Sequence, residues 1–131
     1  MAYTMDRSFP GARLDEIDRL TRAALSEAGF GVLTEIDVQA TMKEKLDEDM
    51  RGYRILGACN PKMAHQALGI EPKVGAMLPC NVILRETDEG VEVSAIDPQA
   101  SMSAIDNDEL KRVAGQVRDM LARAVEGIDA A

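Results

Sequence analysis

Tryptophan is absent from the 131 residues, aromatics amount to 3%, and there are only one histidine and two cysteines. So few aromatic rings exclude the stacking platforms that hold single-stranded nucleic acids. They also leave the core to Leu, Ile, Val, Ala and Met. Positive charge is short as well: 15 Lys and Arg stand against 23 Asp and Glu, giving a net charge of -8 and a pI near 4.6. Such a surface repels phosphate backbones and anionic lipid, so neither a nucleic acid nor a membrane partner is expected. No run of about 18 apolar residues is present to span a bilayer. Met1 to Pro10 has no cationic flank leading into an apolar stretch, so no secretory signal is expected. A cytoplasmic chain follows, and in that compartment two cysteines are expected as reduced thiols and not as a structural disulfide. The glycines form neither GxGxxG nor a P-loop, which leaves nucleotide binding without support.

What is present points to a globular fold. Hydrophobic residues make up 46% and charged residues 29%, and the length suits one domain with one real core. We expect a single domain over 1–131, with 1–11 an N-terminal strand or tail and 12–128 the core. Leu14, Ile17, Thr21, Ala24, Leu25 and Ala28 recur at helical spacing, predicting an amphipathic helix over 12–28 with Gly29 at its C-terminal cap. Phe30 to Ile36 reads as a strand. Asp37 is placed to cap a second helix with Val38, Met42, Leu46 and Met50 on one stripe. Tyr53 to Cys59 is a strand, and Pro61 to Leu68 a short helix with proline in its favoured first turn. Cys80 to Glu86 and Val91 to Ile96 flank Thr87-Asp88-Glu89-Gly90, a hairpin signal. Asp106 and Glu109 have capping-box spacing ahead of a long stripe, Leu110, Val113, Ala114, Val117, Met120, Leu121, Ala124 and Val125. The expected fold class is α+β: a two-layer sandwich with a mixed β-sheet of about four or five strands and helices mainly on one face.

Both cysteines precede an asparagine, in Gly57-Ala58-Cys59-Asn60-Pro61 and Leu78-Pro79-Cys80-Asn81. Each pair lies where an extended apolar run meets a turn. The only histidine, His65, and Met63 follow the first pair, and Met77 precedes the second. The ligand-binding candidates are therefore Cys59, Asn60, His65, Cys80 and Asn81. Thiolate and thioether donors suit Cu(I), and Cys with His suits zinc, so Cys59, Cys80, Met63 and His65 form the candidate metal set. A cysteine near a helix N-terminus can act as a thiolate, which makes Cys59 a candidate nucleophile or redox thiol with Cys80 as its resolving partner. Against both stands the plain alternative that the thiols are small buried apolar groups and the asparagines form turns. Tyr53, Ile55, Gly57 and Cys59 share one strand face, as do Cys80, Val82 and Leu84; if both faces look inward, the thiols come together.

With these landmarks in place, the chain resembles the family called domain of unknown function 302. The resemblance lies in Gly29-Phe30-Gly31-Val32-Leu33-Thr34-Glu35-Ile36-Asp37, Leu56-Gly57-Ala58-Cys59-Asn60-Pro61 and Gly75-Ala76-Met77-Leu78-Pro79-Cys80-Asn81-Val82. The turn Asp88-Glu89-Gly90-Val91 and Asp97-Pro98 also fit, and the resemblance runs from about Asp15 to Ile128. It implies an α/β domain that forms homodimers, with the Cys-Asn-Pro and Pro-Cys-Asn turns as a shared feature. It implies no reaction and no catalytic residue.

The reading that results is a small cytosolic binding or accessory domain, not a self-sufficient enzyme, taking a soft metal ion or a small thiol-reactive ligand near the two Cys-Asn turns. Its cofactor, if any, is unknown. One alternative is a thiol-dependent enzyme or redox protein using Cys59 with Cys80. Another is a structural, oligomeric protein with inert cysteines. Sheet edges that need covering add to the case for a homodimer.

Overall fold

A computed structural model describes residues 2–129. In it, four of the five α-helices begin where a short polar side chain takes up an orphan amide. The first, α1 (Leu14–Glu27), has Arg13 at that position and no side-chain cap. It ends at Ala28, after which Gly29 reverses the chain with φ of 90°. Asp37 starts α2 (Val38–Leu46) by accepting from Ala40 N at 2.9 Å. Asn60 starts α3 (Pro61–Ile70), and Asp97 the short α4 (Pro98–Ser101). The long α5 (Asp108–Glu126) is capped by Asn107, which accepts from Leu110 N at 2.9 Å. The expected capping box from Asp106 is therefore one residue out of place.

The strands are β1 (Thr4–Pro10), β2 (Gly31–Asp37), β3 (Tyr53–Cys59), β4 (Cys80–Glu86) and β5 (Gly90–Ile96), with a 3-10 segment at Pro72–Met77. The N-terminal segment is a full edge strand, paired from Thr4↔Ile96 to Pro10↔Gly90. The order across the sheet is β1-β5-β4-β3-β2, and every neighbouring pair is antiparallel. The α+β expectation holds; the mixed sheet does not. A parallel crossover needs a helix whose apolar face lies along the sheet. The helix between β2 and β3 buries no residue, and the one between β3 and β4 packs against α5, so in both cases the chain returns to the end it left. The stripe expected on α2 is likewise not a core stripe: Leu46 is 63% exposed and Met50 37%.

One face of the sheet is covered by α1 and α5. Leu56, Val82, Leu84, Val91 and Val93 meet Ile17, Leu25 and Leu121 in the main core. A second cluster, Ala67, Val74, Met102, Leu110, Val113 and Ala114, joins α3, the 3-10 segment and α5. Leu78 and Val117 touch both clusters. The far end of β3 carries a charged clamp. Arg54 reaches Asp18 at 2.9 Å and Asp15 at 2.7 Å, while Arg22 binds Asp18 at 2.5 Å and Glu35 at 3.1 Å. Burial alone would raise the pKa of Asp18, but the hydrogen bonds and charges of Arg22 and Arg54 together outweigh it and hold the carboxyl below its ordinary value. Arg7 ties β1 to the end of α5 by donating to the carbonyls of Val125, Glu126 and Ile128 at 2.8–3.0 Å.

Candidate functional site

Pro61 cannot continue a strand ladder but suits the first turn of a helix, so β3 stops at Cys59 and Asn60 becomes the cap of α3. Its Oδ1 accepts from Met63 N at 3.2 Å. The helix therefore begins two residues after Cys59, at the Pro61 that the sequence marks as its first turn. Cys80 is the first residue of β4, beyond the cis Leu78–Pro79 peptide bond. The register places Ala58, not Cys59, opposite Cys80, while Cys59 lies opposite Gly31. Alternation then puts Cys80 on the helix-covered face with Val82 and Leu84, and Cys59 on the opposite parity with Ile55 and Gly57. The two thiols do not share a face.

They nevertheless meet one cavity, because β3 ends at Cys59 and the chain turns there. The cavity lies in the seam between the two core clusters. Cys59, Asn60 and Cys80 form one wall, Met63 and Ala67 of α3 another, and Met102, Leu110, Val113 and Ala114 a third. The space open to a water-sized sphere is about 30 Å³, room for one or two waters. No charged side chain lines it, and Asn60 supplies its only amide side chain.

Both cysteines are free thiols; Cys59 is half-buried and Cys80 buried. Burial, and then the neighbouring Cys59, pushes the Cys80 thiol up to about 11. At neutral pH Cys80 is therefore protonated and a poor nucleophile.

The remaining candidates stand elsewhere. His65 projects from the exposed side of α3 and does not line the cavity. Asn81 continues β4 on the uncovered face of the sheet, opposite Gly57. Met77 is 41% exposed and borders a shallow groove with Pro79, Asn81 and Ile96. The structure thus brings together Cys59, Asn60, Met63 and Cys80, and leaves out His65 and Asn81. Among the described residues, no three His, Cys, Asp or Glu side chains cluster as metal ligands. The walls supplied by Leu110, Val113 and Ala114 lie on the stripe that the spacing marks as core, and no local signal separates a cavity wall from a core stripe.

The family model "Domain of unknown function DUF302" matches residues 5–128. The chain belongs to the DUF302 family. A solved structure described as an uncharacterized conserved protein DUF302 from Bacillus stearothermophilus is 25% identical, with a TM-score of 0.87 over 97% of each chain. No curated protein matches the chain. The family match spans both Cys-Asn turns, α5 and the cavity between them. No helix of the described residues is long and apolar enough to cross a membrane.

Proposed function

We propose that this DUF302 protein is a binding domain that takes a small, uncharged ligand in the cavity between the Cys-Asn turns, α3 and α5. The observation that carries this reading is the lining: it is apolar, it has no charged side chain, and its polar members are Asn60 and two thiols. Acid-base catalysis needs a titratable group poised near the working pH, and Cys80, pushed up to about 11, is not one. The thiol-enzyme alternative asks Cys80 to resolve a bond formed at Cys59, and the raised pKa of Cys80 works against it. The cavity is nearly filled, so a guest must displace side chains. Met63 and Met102 are the adaptable ones, being unbranched and polarisable.

A second reading, a soft monovalent ion such as Cu(I), is favoured by four sulfur-bearing side chains on one cavity: Cys59, Cys80, Met63 and Met102. His65 has no part in it. Because a thiolate ligand must lose its proton, metal loading would release protons.

Methionine-methyl NMR separates these readings. Titration of the reduced protein with benzene should shift the Met63 and Met102 methyls and saturate, and Ala114→Phe should abolish the effect by filling the cavity. If Cu(I) shifts the same methyls with proton release while benzene leaves them unmoved, the ion is the ligand. If neither probe moves either methyl, the cavity is not a binding site.

A further inference from the structure

The wall of the cavity is graded. Phe30, Ala58 and Cys80 are buried, whereas Cys59, Asn60 and Val117 are half-buried and mark the mouth. At that mouth stands a strong hydrogen-bond donor without a partner. Met63 N is itself a donor, so the Asn60 atom that faces it at 3.2 Å is the acceptor Oδ1. The cap thereby fixes which way round the amide sits and leaves Nδ2 on the other side. There Nδ2 adjoins Gly29, at φ of 90°, where an added Cβ would stand only 3.1 Å from it. Glycine keeps that approach open. Among the described residues Nδ2 donates to no protein acceptor. Nor is it sealed from solvent, because the one buried side-chain nitrogen or oxygen without a partner is Thr21 Oγ1.

Resting on the binding role proposed above for this cavity, we infer that its guest is a small apolar carbonyl compound. The carbonyl oxygen accepts from Asn60 Nδ2 at the mouth, and the hydrocarbon body lies among Met63, Met102 and the α5 wall. A pure hydrocarbon seated there would shield Nδ2 from water and return nothing, whereas a carbonyl oxygen takes the place of that water. A carboxylate or phosphate is excluded on charge: no cationic side chain lines the cavity, and the chain carries -8. An alcohol or amine brings a donor of its own, and the lining side chains meet it poorly. Oδ1 is already taken by Met63 N, and the two thiols are weak acceptors. Asn60 is therefore the residue that sets specificity, as well as the cap of α3.

The test is a matched pair of guests, cyclopentanone and cyclopentane, titrated into reduced, isotope-labelled protein. NMR follows the Met63 and Met102 methyls together with the side-chain amide protons of Asn60. Both guests should shift the methyls, and only cyclopentanone should move an Nδ2 proton downfield. Asn60→Asp keeps the cap, because aspartate also accepts from Met63 N, but it cannot donate. It should weaken cyclopentanone about three- to tenfold, the worth of one net hydrogen bond, and leave cyclopentane within about twofold. The proton shift is read in the wild type, so the result does not depend on the variant's folding. If both guests move the methyls while the Asn60 amide protons stay still, or if Asn60→Asp weakens both guests alike, the carbonyl assignment is wrong and the cavity remains a binding site. If neither guest moves the methyls, the binding role fails and the carbonyl assignment fails with it.

Discussion

The dipeptide Cys-Asn occurs twice in this chain, and the fold uses the two copies in opposite ways. In the first, Cys59 closes β3 half-buried, and Asn60 caps α3 at the cavity. In the second, Cys80 opens β4 inside the core, and Asn81 points out on the open face of the sheet. The difference begins with the next residue. Pro61 ends a ladder and starts a helix, whereas Val82 continues the strand. It is completed by register, which sets Cys80 against Ala58 and gives the two thiols opposite parity. A repeated motif is thus no guide to a repeated role; the neighbour and the strand phase decide.

Four experiments bear on that contrast, the largest effect first. The scale is set by Asp18, remote from both turns in the buried clamp with Arg22 and Arg54. Asp18→Asn should cost about 3 kcal/mol at neutral pH by urea denaturation, since the partly buried Arg22 and Arg54 each lose a charge-assisted hydrogen bond and keep only the exposed Glu35 and Asp15. Its folded pKa lies below the unfolded value, so the wild-type contribution is present above about pH 4 and lost as pH falls through the folded value; the variant should lack that acid limb. Cys80 should give the mirror image on the alkaline side. Its folded pKa, about 11, stands above the ordinary value of 9.0. Its contribution is therefore present below pH 9 and lost between 9 and about 11, by roughly 2–3 kcal/mol. Cys80→Ala should remove that pH dependence and Cys59→Ala should not.

Asn60→Ala should cost about 1 kcal/mol for the lost cap of α3. Asn81→Ala, on the outer face, should stay within about 0.5 kcal/mol of wild type; equal costs would mean that both asparagines act as turn formers. The smallest effect is kinetic. Under native reducing conditions iodoacetamide should label Cys59 first, with Cys80 labelled only on unfolding; equal rates would erase the contrast.

Much of this was legible in the linear chain. Apolar spacing gave α1 and α5, the Thr87 to Gly90 turn gave the β4–β5 hairpin, and Asp37 was recognisable as a cap because its side chain acts on an amide three residues away. Those signals are local. The α2 stripe misled because periodicity says which residues share a face and not whether anything covers that face. His65 looked like a ligand because it is close to Cys59 in sequence, yet its position on α3 turns it outward. Asp18 was hidden in the first helix, where a charge among apolar residues reads as surface until Arg54 of β3 arrives beneath it.

By itself, then, the sequence determined α1, α2, α3 and α5, the strands β2 to β5, the hairpin, the Asp37 cap and the α+β class, all of which depend on residues within a few positions of one another. Only the tertiary structure decided that β1 pairs with β5, that the sheet is antiparallel throughout, that the two thiols have opposite parity, and that two core clusters leave a cavity between them. Those features depend on strand register and on the packing of segments far apart in the chain, where a shift of one residue exchanges the covered face for the open one.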